Sequence, residues 1–372
     1  MKILFHCPRA SYKMGGAETL VRLLARSFLE KGHDCAMVVS RGFSDEFEAF
    51  RRQGNGRFQT YAFPCIRSDR GWLRMMKRWI PSLPIYRRFF SSQYDWDLES
   101  LSFNLASRNR VRLLEFDVMS VHYYMDLAFL KVDRPIAFHF HGIHPFPGAT
   151  KLLRRNRIGY VACSKFVQNQ VYRFHRIQTE VVYNGVDCER FSPRPAEKRW
   201  DVLFLGRLYE NKGISTLLAL ARAMPRIRFA VAGEGPMADP VARAGRSLPN
   251  LSYLGRASYD ALPRLLSESK LLICPSKSDP FPLVILEAMA CGVPVIASRI
   301  GGIPEAVDEE VGRLITAGDV SGFQKEIETL LQDPNLLGVL GQNGRRRCLE
   351  RFSIEETVRQ TLRLYETAAG KS

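Results

Sequence analysis

Residues 201–213 read DVLFLGRLYENKG. Val202 to Leu205 form an apolar, β-prone run, the pattern of a strand buried on both faces, and a glycine follows at once. A helical pattern then covers 214–224. The same rhythm continues downstream. A strand at 227–232 (IRFAVA) leads to GEGP at 233–236, and a strand at 251–254 precedes a helix near 258–268. A strand at 271–274 (LLIC) leads through a loop to a helix at 283–290, and one at 294–297 (PVIA) leads to GGIPE at 301–305. Strands alternating with helices at this spacing predict an α/β, doubly wound parallel sheet.

Working outward, the first half has a looser version of that rhythm. Ile3–Cys7 reads as a strand, Gly15-Gly16 as a loop, Ala17–Lys31 as a helix with Leu20, Leu23, Leu24 and Phe28 on one face, and Cys35–Ser40 as a second strand. Buried strands are expected at 118–121, 136–140, 158–162 and 180–183. Pro193 and Pro195 mark a junction near Asp187–Arg199. The expected domains are 1–187, 188–352 and a closing amphipathic helix within 353–372, with Ile354, Val358, Leu362 and Tyr365 on its stripe.

With 372 residues the chain suits two domains, and 46% hydrophobic with 25% charged residues excludes general disorder. Nothing approaches 18 consecutive apolar residues, and the N-terminal apolar run is too short for a signal peptide, so a cytoplasmic protein is expected. The eight cysteines contain no CxxC pair, which argues against a disulfide framework or structural zinc. The net charge is +16, and residues 1–187 carry 29 Lys+Arg against 16 Asp+Glu. Polyanionic partners are therefore expected mainly at the first half. Segment 64–117 interrupts the βα rhythm, and within it basic and aromatic residues interleave: Trp72, Arg74, Lys77, Arg78, Trp79, Arg87 and Arg88. That mixture suits an anionic membrane surface or a phosphorylated glycan. No helix-turn-helix, RRM or zinc-finger signature is present, so nucleic acid is not an expected partner.

Arg207 and Lys212 lie in a loop directly before a helix, where backbone N–H groups and two cations suit a diphosphate. Asp279 and Glu287 stand eight positions apart, one in a loop and one in the following helix. Both can accept hydrogen bonds from sugar or ribose hydroxyls. His139 and His141 share one face of a strand end, without the carboxylate or cysteine spacing of a metal site. One core histidine and one active-site histidine are expected there. Asp95-Trp96-Asp97 imitates a metal-binding DxD but does not follow a buried strand.

Together these residues resemble the retaining glycosyltransferases of family 4, which have the GT-B fold. GGAE at 15–18, HFHG at 139–142, SKF at 164–166 and YNGVDCERF at 183–191 look like motifs of the acceptor domain and the junction. GRLYENKG at 206–213, GEGP at 233–236, DPFPLVILEAMACGVPV at 279–295 and GGIPEAV at 301–307 look like donor-domain motifs. The resemblance implies two Rossmann-like domains facing across a cleft, with the last helix returning to the first. It implies transfer of a hexose-type sugar, with retention, from a UDP- or GDP-sugar to a hydroxyl of a lipid-linked or envelope glycan, as in lipopolysaccharide or exopolysaccharide synthesis. No metal or other cofactor is implied. Catalytic roles fall on Asp279, His141, Arg207 and Lys212, and donor binding on Gly15, Gly16, Arg207, Lys212, Gly233, Leu283, Val284 and Glu287. Asp279 stands where the family usually has Glu, and Pro282 lacks one N–H among the amides near sugar and phosphate. Another GT-B enzyme such as an NDP-sugar epimerase, a sucrose- or phosphate-utilising relative, or a catalytically silent scaffold subunit are the alternatives.

Overall fold

The structure is a computed structural model that describes residues 1–12, 15–54, 56–66, 92–143, 149–154 and 158–370, with side chains left out over 92–97. The chain divides into two units. The first comprises Met1–Val161, Phe174–Glu180 and Gln360–Ser372; the second comprises Ala162–Arg173 and Val181–Arg359.

The first sheet contains β1 (Lys2–His6), β2 (Asp34–Ser40), β3 (Phe58–Phe63), β4 (Val118–Val121), β5 (Ile136–Phe140), β6 (Ile158–Ala162) and β7 (Glu180–Val181). Their spatial order is β3-β2-β1-β4-β5-β6-β7. β1 pairs in parallel with both β2 and β4, so the strand order reverses beside β1. Helix Gly16–Glu30 turns Leu20, Leu23, Leu24 and Phe28 inward, as the spacing predicts. The Phe28 ring lies 6.2 Å from Phe5 of β1 and 5.8 Å from Tyr365 of the last helix. Burying each such side chain contributes roughly 1.5–3 kcal/mol.

The second sheet contains β8 (Trp200–Leu205), β9 (Phe229–Ala232), β10 (Leu251–Tyr253), β11 (Ser269–Cys274), β12 (Val295–Ser298) and β13 (Gly312–Ile315). Its order is β10-β9-β8-β11-β12-β13, and every neighbouring pair is parallel. This is the Rossmann order, with its switch point between β8 and β11. Val202 and Phe204 meet Leu217 and Ile273 in one buried cluster. Both sheets bear out the doubly wound reading.

Several elements were not expected from sequence. β3 and β13 are edge strands of mixed burial, which blurs their apolar signal. Helices Ser92–Val111, Val320–Gln332 and Pro334–Arg351 were also unread. The strand expected over 180–183 is formed only at Glu180–Val181. The DxD imitation sits within helix Ser92–Val111. Trp72, Arg74, Lys77, Arg78, Trp79, Arg87 and Arg88 lie outside the described residues.

The loop after β8 ends in a short 3-10 turn, Glu210–Lys212, and Gly213 then opens helix Ile214–Ala223 with φ +79°. A Cβ on Gly213 would stand 2.0 Å from the carbonyl oxygen of Pro275, in the loop after β11. Gly318 has φ +85° but open space around it. Gly318→Ala is therefore expected to cost only the left-handed strain, about 1–2 kcal/mol. Gly213→Ala adds a backbone collision and is expected to cost about 3 kcal/mol or more. Urea denaturation of the two variants side by side measures the difference.

Candidate active site

The loops after β8 and β11 meet at the switch point of the second unit. Backbone and charge hold them together. Lys277 N–H donates to the Asn211 carbonyl at 2.8 Å, and Lys277 Nζ meets Glu210 Oε1 at 2.5 Å. The central contact joins two of the expected site residues: Lys212 Nζ lies 2.5 Å from Asp279 Oδ2. Their side chains are 21% and 6% exposed, so the pair sits at the edge of solvent. A lysine ammonium has three N–H donors, and a second can serve a ligand oxygen while the first holds Asp279. Arg207 is exposed in the same loop, its guanidinium 5.5 Å from the Tyr209 ring centroid.

The backbone around Asp279 is fixed from several sides. Gly302 N–H donates to the Asp279 carbonyl, Ser164 Oγ to the Pro280 carbonyl at 3.0 Å, and Asn184 Nδ2 to the Phe281 carbonyl at 3.0 Å. Helix Leu283–Ala290 starts immediately after, capped by Pro282 with no side-chain cap bond. Its first turn contains buried Leu283 and half-buried Val284. Gly233 follows β9 and packs its Cα against the Gly206 carbonyl, beside the same loop.

Glu287 lies one turn into that helix and is 6% exposed. Burial pushes its carboxyl up to about 7, opposed by the charge of Arg190. Arg190 in turn pairs with Asp260 and lies 4.7 Å from the Tyr259 ring centroid. Arg190 belongs to a quoted motif, but its partnership with Glu287 was not read from it. Glu305 was also unassigned. It accepts from Lys165 N–H at 2.8 Å, Phe166 N–H at 2.7 Å and Tyr183 Oη–H at 3.0 Å. It thereby caps helix Lys165–His175 and ties GGIPE to SKF and YNG.

In the first unit, Gly15 caps helix Gly16–Glu30, and a Cβ there would stand 2.3 Å from Glu18 Oε2. The ends of β4 and β5 gather three histidine rings. His122 stacks on His139 and His141, with centroids 4.8 and 5.2 Å away. His122 Nδ1 is 2.9 Å from His141 Nε2, and His122 Nε2 is 2.9 Å from Ser120 Oγ. His139 Nε2 lies 2.8 Å from Tyr365 Oη. His139 is thus the satisfied core histidine. Burial lowers all three rings, His139 to about 3 and His141 to about 4, so all are neutral at pH 7. His122 went unread, although its S-x-H spacing at 120–122 parallels H-x-H at 139–141. His6 Nδ1 and Asp126 Oδ2 form a separate buried pair at 3.1 Å. Among the described residues, no group of three or more His, Cys, Asp or Glu is placed to hold a metal ion.

The model described as glycosyl transferases group 1 matches residues 186–347, and the model described as glycosyltransferase family 4 matches residues 14–190. The MMP alpha-(1->4)-mannosyltransferase of Mycolicibacterium hassiacum is 34% identical over 100% of this chain and 99% of its own. The alpha-maltose-1-phosphate synthase of Mycobacterium tuberculosis is 30% identical over 58% of this chain and 64% of its own. Among solved structures, sucrose-phosphate synthase from Thermosynechococcus elongatus superposes with TM-score 0.80 at 19% identity, covering 100% of both chains. Anabaena HepE in complex with UDP-glucose superposes with TM-score 0.74 at 21% identity, again covering 100% of both. Two Rossmann-like units in one chain with these neighbours make the fold GT-B. The chain belongs to glycosyltransferase family 4, the glycosyl transferases group 1.

Proposed function

We propose that this glycosyltransferase moves a hexose-type sugar from a nucleoside-diphosphate sugar to a hydroxyl of a glycan or lipid-linked acceptor, with retention at the anomeric carbon. The observation that supports it most is the Lys212–Asp279 pair at the switch point of the second sheet, with Glu287 one turn into the adjoining helix. Breaking the anomeric C–O bond leaves negative charge on the diphosphate and positive charge on the sugar ring. Lys212 and Arg207 neutralise the first, together with the Leu283 and Val284 amides at the helix start and the close backbone approach that Gly233 allows. Asp279 stabilises the second and binds sugar hydroxyls. Glu287 accepts from the ribose diol. Gly15 and Gly16 let backbone approach the donor phosphate, and His141 contacts the transferred sugar. The acceptor hydroxyl attacks from the leaving-group side, and a donor phosphate oxygen takes its proton. No metal is needed for charge already met by fixed cations.

UDP-glucose in the Anabaena neighbour supports a UDP-sugar donor, and the mannosyl transfer named for the full-length relative supports a hexose. The lipopolysaccharide outer core galactosyltransferase WaaB, a neighbour with TM-score 0.67 and 16% identity, supports an envelope-glycan acceptor. The basic charge of the first half supports attachment to an anionic membrane surface.

Lys212→Ala is expected to lower turnover on the order of 10²–10³-fold, the usual effect of deleting one preorganised charge-stabilising donor. It also leaves Asp279 unpaired and nearly buried, so the melting temperature falls. Adding Asp279→Asn restores the melting temperature but not turnover. UDP release from UDP-glucose and thermal unfolding of both variants check this.

Glu287 sets a pH dependence. Its folded value of about 7 stands above the ordinary carboxyl value of 4.5, so the fold holds the protonated form and loses stability as pH rises through that interval. Glu287→Gln is expected to be more stable than wild type at pH 8. A ribose diol prefers the ionised acceptor, so wild-type affinity for UDP-glucose rises about tenfold between pH 6 and 8. In Glu287→Gln it is weak and flat. Calorimetric titration at both pH values decides.

Sedimentation with phosphatidylglycerol vesicles is expected to carry the protein down at low salt and release it at high salt, as a charge-driven attachment requires. Protein left in the supernatant at low salt removes the membrane assignment.

A further inference from the structure

We infer that His122, oriented by Ser120 and Tyr365, fixes His141 as the Nδ1–H tautomer and so presents a neutral N–H donor to a substrate oxygen. This rests on the reading above that His141 touches substrate.

The argument starts at the far end of the chain of contacts. Tyr365 Oη–H donates to Ser120 Oγ at 2.7 Å. Its oxygen is then left to accept, and His139 Nε2 at 2.8 Å supplies the proton. Ser120 Oγ, having accepted from Tyr365, has its own proton free for His122 Nε2 at 2.9 Å. His122 is neutral, lowered by burial, so with Nε2 accepting its one proton sits on Nδ1. That Nδ1–H faces His141 Nε2 at 2.9 Å. His141, neutral as well, keeps its proton on Nδ1. Each step leaves one choice for the next, and the direction is set by the buried tyrosine hydroxyl.

The packing of the rings agrees. The three rings stack within 25° of parallel, so none turns without displacing its neighbours. Glu18, in the first turn of helix Gly16–Glu30, opposes the lowering of His141 by its charge, but burial outweighs it and the ring stays neutral. A lone-pair edge in that place suits a base, whereas an N–H edge suits binding an oxygen. His122 is thus a positioning residue acting through His141.

The test is a long-range ¹H–¹⁵N spectrum of the full chain labelled with ¹⁵N-histidine, assigned by single His→Gln variants. In wild type, His141 is expected to show a protonated Nδ1 and an accepting Nε2. In His122→Phe the two nitrogens average toward a mixed tautomer. His122→Asn, whose amide N–H replaces the Nδ1–H, restores the wild-type pattern. Tyr365→Phe loosens it from the far end. In UDP release from UDP-glucose, His122→Phe lowers kcat about tenfold with KM changed by less than about twofold, and His122→Asn recovers most of it. A wild-type His141 protonated at Nε2 overturns the inference, even if His122→Phe fails to fold. So does a folded His122→Phe that retains a pure Nδ1–H tautomer. A His141→Ala variant with wild-type kcat overturns the substrate contact, and with it the earlier reading of His141, whatever the spectrum shows.

Discussion

A nearly buried carboxylate needs a counter-charge, and Asp279 finds it in Lys212 at 2.5 Å. That requirement makes the two loops beside the switch point behave as one body. Gly213 allows the backbones to touch, Lys277 N–H stitches the loops together, and Gly302 N–H holds the Asp279 carbonyl from a third loop. The arrangement is preorganised: a cation and an anion are held in place before any ligand arrives. In the proposed reaction, a departing diphosphate and a developing sugar cation would each meet a group that does not have to move.

Two other acids in the same unit show how placement decides the use of a carboxylate. Glu305 spends its oxygens on two backbone N–H groups and a tyrosine hydroxyl, so it works as a helix cap and a tie between loops. Glu287 is buried where desolvation raises its proton affinity to about 7. The first is consumed by structure. The second carries its full cost in stability once the pH exceeds that value, and under the proposed function that cost is borne by the group that meets the ribose.

The sequence was most legible where period and punctuation agreed. DVLFL followed by glycine, and LVILEAMA followed by CG, became a strand and a helix close to the expected bounds. Edge strands β3 and β13 were missed because half-exposed strands lose the apolar run that marks a buried one. At the site, the residue types of Lys212, Asp279 and Glu287 were readable from motifs, but the ion pair was not. It spans 67 residues of sequence and depends on loops meeting in space. Ser120, His122 and Tyr365 were harder still, because hydrogen-bond direction among hydroxyls and rings leaves no spacing signature.

Tyr365 is fully buried beside Phe28, His139 and Ser120, yet it lies 226 and 245 residues along the chain from the last two. β1 begins at Lys2, and the unit it founds is completed only by Gln360–Ser372. On the ribosome, Ser120 therefore waits for a tyrosine made 245 residues later. Until then the hollow beside Phe28 stays open and Ser120 receives no tyrosine proton. The nascent protein acquires its ordered histidine stack only after the whole second unit has been made.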